Sequence, residues 1–277
     1  MPWIHGPKIL SKAGFLVTKV HSGSDMLFQG HNCQESLSTQ LGKYIVSDSE
    51  AFEYINGLDR LNDKKAKKLN ERTGLMIEEV GLYDGLGEKE VSKLLNDIDS
   101  ILFDKSEWLS SLKHMLIKQI IPLKLKDGSQ RRRSAGSYFN IKGSVLFHVP
   151  VDYDLVYLTE MAIDLCHELG HQLLFIYQSV DKIMISDENQ KFYSGVRQID
   201  RNAFQTIHAA MALSYMILAC DVMLENAINP EQVKLLQSEK KESKASLAET
   251  LESLEKHSEF TELGTEIIKD MKDILNK

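Results

Sequence analysis

The chain has 277 residues, an apolar fraction of 43% and a formal charge of -7, the profile of a globular protein with enough apolar side chains to bury a core. That acidic balance leaves no face-wide excess of lysine and arginine to neutralise phosphates, which argues against a nucleic-acid binder. Three widely spaced cysteines, Cys33, Cys166 and Cys220, make neither a disulfide framework nor a CxxC metal site and fit a reducing cytoplasm. The first twenty residues carry no apolar core of signal-peptide length. The longest apolar run, 209–224, is short of a membrane span and is broken by Ser214 and Asp221, so a cytoplasmic protein with no membrane partner is expected.

From Gln34 to Leu82 the sequence is polar and helix-prone, with Phe52, Ile55 and Leu58 at helical spacing. Lys64-Lys65-Ala66-Lys67-Lys68 reads as a solvated helix face. Asp84-Gly85-Leu86-Gly87 resets the chain, after which Val91, Leu94, Leu95, Ile98 and Leu102 predict an amphipathic helix. Ser106 is placed to cap another, with Trp108, Leu109, Leu112 and Leu116 on its apolar side. His5, His21, His31 and His114 stand alone and read as surface or hydrogen-bonded histidines.

Between Ile117 and Val149 the pattern turns to β. Ile120, Ile121, Leu123 and Leu125 form one apolar stretch, Tyr138, Phe139 and Ile141 a second, and Ser144 to Val149 a third, which predicts a small sheet of about three strands. Arg131-Arg132-Arg133 falls at a hairpin turn and reads as an exposed charged loop. His148, at the end of the last strand, is either a plain strand histidine or one that looks into the site that follows.

Pro150 ends the strand, and Leu155, Leu158, Ile163, Leu165, Leu169, Leu173 and Leu174 mark a long helix. On it lies His167-Glu168-Leu169-Gly170-His171. A step of four helical residues turns about 400° and rises about 6 Å, so the two histidines project from one face toward a shared point. Glu168, one residue round the helix, is aimed beside that point, where it meets a water or a substrate. A second helix is predicted from about Arg201 to Met223 and carries His208, 37 residues beyond His171. Three neutral histidines with open positions suit zinc or ferrous iron on ligand type alone. Asp187, Glu188 and Asp200 are loop carboxylates able to substitute as third ligand. The linking segment, Ser179 to Ile199, is a polar loop of a length usually kept for function.

After Asn229-Pro230 the stripes Leu247, Leu251, Leu254 and then Phe260, Leu263, Ile267, Met271 and Ile274 predict two amphipathic helices joined near His257. They either pack on the body or form a homodimer surface. The chain thus divides into a helical N-terminal segment (1–116), a metal-site core (117–229) and a C-terminal helical pair (230–277), together one compact unit. The expected class is α+β, mostly α-helical, with a small β-sheet beside the HExxH helix.

On the zinc reading of HExxH, Glu168 is the general base of a metallopeptidase. No third histidine follows in the HExxHxxGxxH manner. Gly143-Ser144-Val145-Leu146, the HExxH itself, Tyr193-Ser194-Gly195-Val196-Arg197 with Asp200-Arg201, and His208-Ala209-Ala210 together resemble the HExxH-type peptide-modification proteins associated with ribosomally made peptides. The resemblance covers about residues 140 to 220. It implies a zincin-like arrangement and iron(II)- and 2-oxoglutarate-dependent β-hydroxylation of a precursor peptide, with His167, His171 and His208 as metal ligands. Independently, a keto acid bound through one end leaves a distal carboxylate for which a guanidinium is the natural partner. Arg197 or Arg201 can serve, and Tyr193 adds a hydroxyl to the same pocket. On this reading Glu168 orients a ligand or holds a water. The remaining alternatives are the zinc metallopeptidase and a non-catalytic metal-containing peptide-binding module.

Overall fold

A computed structural model describes residues 3–12, 16, 78–117, 119–126, 134–137, 143–185 and 190–277. The predicted features up to residue 77, other than His5, lie outside the described residues. So do Arg131-Arg132-Arg133, the Tyr138 to Ile141 stretch, Asp187 and Glu188.

In chain order the elements are β1 (Glu78–Val80), α1 (Glu88–Ile101), α2 (Glu107–Leu116), β2 (Gln119–Leu125), β3 (Ala135–Ser137), β4 (Ser144–His148), α3 (Leu155–Gln178), β5 (Lys191–Ser194), β6 (Ile199–Asn202), α4 (Ala203–Leu224), α5 (Pro230–His257) and α6 (Glu262–Leu275). The described chain is mostly helical with a small mixed sheet, as the sequence predicts.

The sheet has four strands in the order β1-β2-β4-β3. β2 and β4 run parallel, Ile121 opposite Leu146, and all five residues of β4 are buried, so the central pair reads as continuous apolar runs. Two sequence expectations are corrected here. Glu78–Val80 is a strand rather than the end of a helix-prone run, because antiparallel pairing with Leu123 to Leu125 overrides the helix preference of two glutamates. The segment carrying the three arginines does not close a hairpin between neighbours: it leads from β2 to β3, and β4 lies between those two strands in the sheet.

The long helices are started by their side chains. Asp154 accepts from the Tyr157 amide at 2.8 Å to cap α3, Asn202 from Gln205 at 2.8 Å to cap α4, and Thr261 from Gly264 at 3.1 Å to cap α6. Asn229 caps α5 and is followed by Pro230 at the first helical position. Ser106 stands at the N-cap of α2 as predicted, without a side-chain bond.

α4 is the central helix: it packs against both α3 and α5, and α6 closes over α4 and α5. Its 22 residues are long and apolar enough to cross a membrane, but they are mostly buried as core, Met211, Tyr215, Ile217 and Cys220 among them. The apolar stripes of α5 and α6 are buried against this body, with Leu247, Leu254, Ile267 and Met271 fully enclosed. The N-terminal segment is tied to the same helices. Tyr177 of α3 and Tyr215 of α4 donate their hydroxyls to the carbonyls of Trp3 and Ile4, while Asp270 of α6 accepts from the amides of both residues.

Candidate metal centre

α3 and α4 lie side by side, with Gly170 making the close approach. A Cβ at Gly170 would sit 3.0 Å from the Tyr215 ring and 3.2 Å from the Met211 carbonyl. That approach brings His167, His171 and His208 into one row. His167 Nε2 lies 3.0 Å from His171 Nε2, and His171 Nδ1 lies 3.0 Å from His208 Nδ1. The outer nitrogens face acceptors: His167 Nδ1 is 3.4 Å from Met216 Sδ, and His208 Nε2 is 2.9 Å from Gln178 Oε1. His208 is held between Phe175 and Phe204, at ring-centre distances of 4.7 and 4.4 Å.

Burial holds His208 down to about 3, and burial, followed by His167, His208 and Arg201, holds His171 well below its usual value, so both are neutral at pH 7. A neutral imidazole brings one N–H and one lone pair. Both ring-to-ring separations of 3.0 Å fit an N–H···N hydrogen bond, and the Nε2 atoms of His167 and His171 are also close enough to turn their lone pairs to one cation. Two nitrogens bound to one ion at about 2.1 Å and at about a right angle stand about 3.0 Å apart.

Glu168 is the buried carboxyl beside the row. It is 3% exposed, its Oε1 lies 3.8 Å from His167 Nε2, and its Oε2 is buried without a hydrogen-bond partner. Burial pushes its carboxyl up to about 8, against the lowering effect of a Ser137 hydrogen bond and with a further rise from Asp164. Ser137 is itself held by Gln172. The Gln172 amide donates to Ser137 Oγ at 3.1 Å and to the Ser144 carbonyl at 2.9 Å, and accepts from the Gly143 amide at 2.7 Å. One side chain next to His171 thus fastens strands β3 and β4 to the motif helix. His167, Glu168 and His171 form a group whose donor atoms lie within 4.8 Å of one another.

A cavity of about 550 Å³ opens over the histidines, a size that accommodates a small organic ligand. Its walls are α3, α4, α5 and the β5–β6 hairpin, so residues on both sides of position 229 build it. The predicted polar loop contains β5 and ends where β6 begins, and the helix expected from Arg201 begins instead at Ala203, leaving Arg201 on β6. The reason is pairing: Phe192 faces Arg201 and Tyr193 faces Asp200 across a two-stranded ladder.

Arg197 and Arg201 both line the cavity. Arg201 is the more enclosed, and burial, then the neighbouring Arg197 charge, lowers its pKa. The two guanidiniums are close enough to disfavour each other, in a cavity whose lining also includes the carboxylates of Asp164, Glu239 and Glu242. Tyr193 is not part of it. It occupies an outward position of β5, is 37% exposed and is not among the cavity residues; Asp200 is likewise exposed. His148 also lies away from the cavity, buried between the hydroxyls of Tyr83 and Tyr157 at 3.1 and 3.2 Å.

His208 shares the cavity, but it meets His171 through the ring nitrogen turned away from His167. It stands as the outer member of the row and not within the compact group of three donors. Four contributors are not singled out by the sequence motif: Asp164, one turn before His167 on the cavity wall, Ser137 and Gln172 behind Glu168, and Gln178 at the end of the row. Asp164 was accessible to periodicity, since it shares a helix face with His167, Glu168 and His171, and Gln172 and Gln178 follow Glu168 and His171 at helical spacing. No protein-family model matches the chain, and no curated protein matches it significantly.

Proposed function

We propose that this protein is an iron(II)- and 2-oxoglutarate-dependent oxygenase that hydroxylates a side-chain β-carbon of a ribosomally made peptide, in a zincin-like arrangement. The observation that carries the reading is the meeting, in one cavity, of His167 and His171, their Nε2 atoms 3.0 Å apart, with a pair of arginines. A hydrolytic zinc site needs no such paired cations. A dicarboxylate co-substrate does, because its distal carboxylate must be neutralised away from water.

His167 and His171 would hold the metal through Nε2, with His208 behind His171, its Nδ1 3.0 Å from His171 Nδ1. Ferrous iron with 2-oxoglutarate supplies dioxygen activation, one oxygen atom entering the peptide C–H bond and the other the succinate that forms as carbon dioxide leaves. The chain's own work is positional. Arg201, backed by Arg197, pairs the distal carboxylate and so fixes the keto acid's direction. Phe175 and Phe204 keep water from His208 and hold its ring. Glu168 balances charge behind the ligands while Ser137 and Gln172 hold its carboxyl in place.

A zinc metallopeptidase is the second reading, and one observation favours it: a carboxyl pushed up to about 8 beside the histidines has a proton affinity suited to a general base near neutral pH. The two separate in one experiment. Metal-free protein is given iron(II) without oxygen, then 2-oxoglutarate, air and a candidate precursor peptide. Succinate and a peptide heavier by one oxygen atom are expected. Bound iron without 2-oxoglutarate turnover, together with zinc-dependent cleavage that Glu168→Gln abolishes while zinc stays bound, overturns the oxygenase reading.

A further inference from the structure

The β5–β6 hairpin is a sheet of two strands, so each strand has one edge without a strand beside it. The edge of β5 is closed by α5: the Tyr193 amide donates to Ser253 Oγ at 2.9 Å and the Gly195 amide to Thr250 Oγ1 at 3.0 Å. An amide turned to α5 is turned away from β6. Tyr193 and Asp200, which lie opposite each other, are therefore a non-hydrogen-bonded pair of the antiparallel ladder. In such a pair the main-chain groups of both residues point out of the ladder, and those of Asp200 point from the far edge of β6. Among the described residues, no main-chain group accepts from the Asp200 amide or donates to its carbonyl at that edge.

The side chains along this edge suit one kind of occupant. Successive residues of a strand face opposite sides, so Ile199 and Arg201 share one face of β6 and Asp200 has the other. Ile199 is 58% exposed and the Asp200 carboxylate is exposed as well. A third strand with an apolar residue against Ile199 and a cation against Asp200 would match both, and the chain's charge of -7 favours such a basic partner. β6 also crosses the rim of the cavity: Ile199 and Asp200 lie outside the lining, Arg201 lies in it, and Phe204 and His208 follow on α4. A strand laid on this edge runs past the cavity mouth.

We propose that the free edge of β6 is the docking site of the peptide substrate, which binds as an extended third strand through main-chain hydrogen bonds to Asp200, with a basic side chain beside the Asp200 carboxylate. Edge pairing of this kind takes affinity from the backbone and specificity from alternate side chains. The inference rests on the reading of a peptide as substrate and is independent of the metal and of the reaction.

The test is fluorescence anisotropy of a labelled, capped hexapeptide of alternating valine and lysine, titrated with the full chain, beside its counterpart N-methylated at every residue. The methylated peptide keeps the charge, loses every main-chain donor and is expected to bind at least about 10-fold more weakly. Asp200→Pro removes the outward amide and the carboxylate without breaking a ladder bond, a placement that edge strands tolerate, and is expected to weaken the unmodified peptide by about 10-fold. Asp200→Asn, which keeps the amide, is expected to fall between Asp200→Pro and wild type. Thermal melts check the fold of each variant; if Asp200→Pro melts early, the methylated peptide carries the test on the wild-type chain. Equal affinity for the two peptides, unchanged affinity in a folded Asp200→Pro, or no binding of the unmodified peptide overturns the proposal. So does sedimentation in which the wild-type chain dimerises and Asp200→Pro does not, which would make a second copy the occupant. An iron(II)-loaded chain that binds 2-oxoglutarate but gives one of these results leaves the oxygenase reading standing. A chain that discriminates the two peptides yet binds no keto acid keeps the docking edge and overturns the oxygenase reading.

Discussion

His167 Nε2 and His171 Nε2 stand 3.0 Å apart, one turn apart on α3, close enough to share one proton or one ion. His167→Ala and His171→Ala are therefore each expected to lower zinc or iron(II) affinity by at least about 100-fold. Metal content after dialysis at fixed free metal checks this. The His167 side chain is 33% exposed, so that variant is expected to keep its far-UV circular dichroism and melting temperature without metal.

The two arginines differ in enclosure, and that difference predicts an order. Arg201 is partly buried and loses little to screening, so Arg201→Ala is expected to weaken 2-oxoglutarate binding by about 10- to 100-fold. Arg197 is exposed, and Arg197→Ala is expected to cost less. Calorimetric titration of the iron(II)-loaded chain without oxygen measures both; equal effects would contradict the assignment of Arg201 as the principal partner.

Gln172 makes three hydrogen bonds, one buried and two part-buried, that lock the sheet edge to α3. Gln172→Leu removes all three, to the Gly143 amide, the Ser144 carbonyl and the Ser137 hydroxyl, and is expected to destabilise the protein by about 3 kcal/mol. Equilibrium urea unfolding reads this loss. A cost near zero would mean that the strands are held by their ladder alone.

How much of this was legible in the sequence follows from what each kind of residue signals. The motif face of α3 was visible because 3.6-residue periodicity fixes which side chains converge, and His208 because an apolar helix had to return against α3. The arginines were found by chemistry, and their cavity by neither periodicity nor charge: it needs α5, whose Glu239 and Glu242 face it from beyond position 229. The β5–β6 hairpin was read as loop because Ile199 and Tyr193 point outward and only Phe192 and Ser194 are buried, too few for an alternating signal. Gln172 and Gln178 lie at helical spacing from Glu168 and His171, but an amide side chain carries no chemistry that picks it out of that face. A glutamine becomes informative only when its partners are known.

Gly170 and Gly195 define two close approaches. Gly170→Ala pushes a methyl into the Tyr215 ring and is expected to cost about 1–3 kcal/mol while separating α3 from α4. At Gly195 a Cβ would collide with the Ser246 carbonyl of α5, so Gly195→Ala displaces the turn that carries Arg197. The check is again urea unfolding, with 2-oxoglutarate affinity as the second readout for Gly195→Ala.

His5 gives a pH dependence away from the metal centre. Its Nε2 is buried without a hydrogen-bond partner, and burial, then the Lys277 charge, lowers its pKa below 6.5 despite Asp270 and Asp273 nearby. The unfolded chain therefore takes up this proton more readily than the folded one, and the associated stability is full above 6.5 and lost as pH falls through the lowered folded value. Melting temperatures compared at stepped pH below neutrality are expected to fall less for His5→Gln than for wild type.

The central claim is that the histidine row and the arginine pair hold one metal and one keto acid together. Anaerobic addition of 2-oxoglutarate to the iron(II)-loaded chain, followed by visible absorbance, tests it directly. The expected result is the charge-transfer band of a keto acid chelating ferrous iron, present in wild type, lost in His171→Ala and shifted to higher 2-oxoglutarate concentration in Arg201→Ala. An iron-loaded wild-type chain that shows no band at saturating 2-oxoglutarate would contradict it.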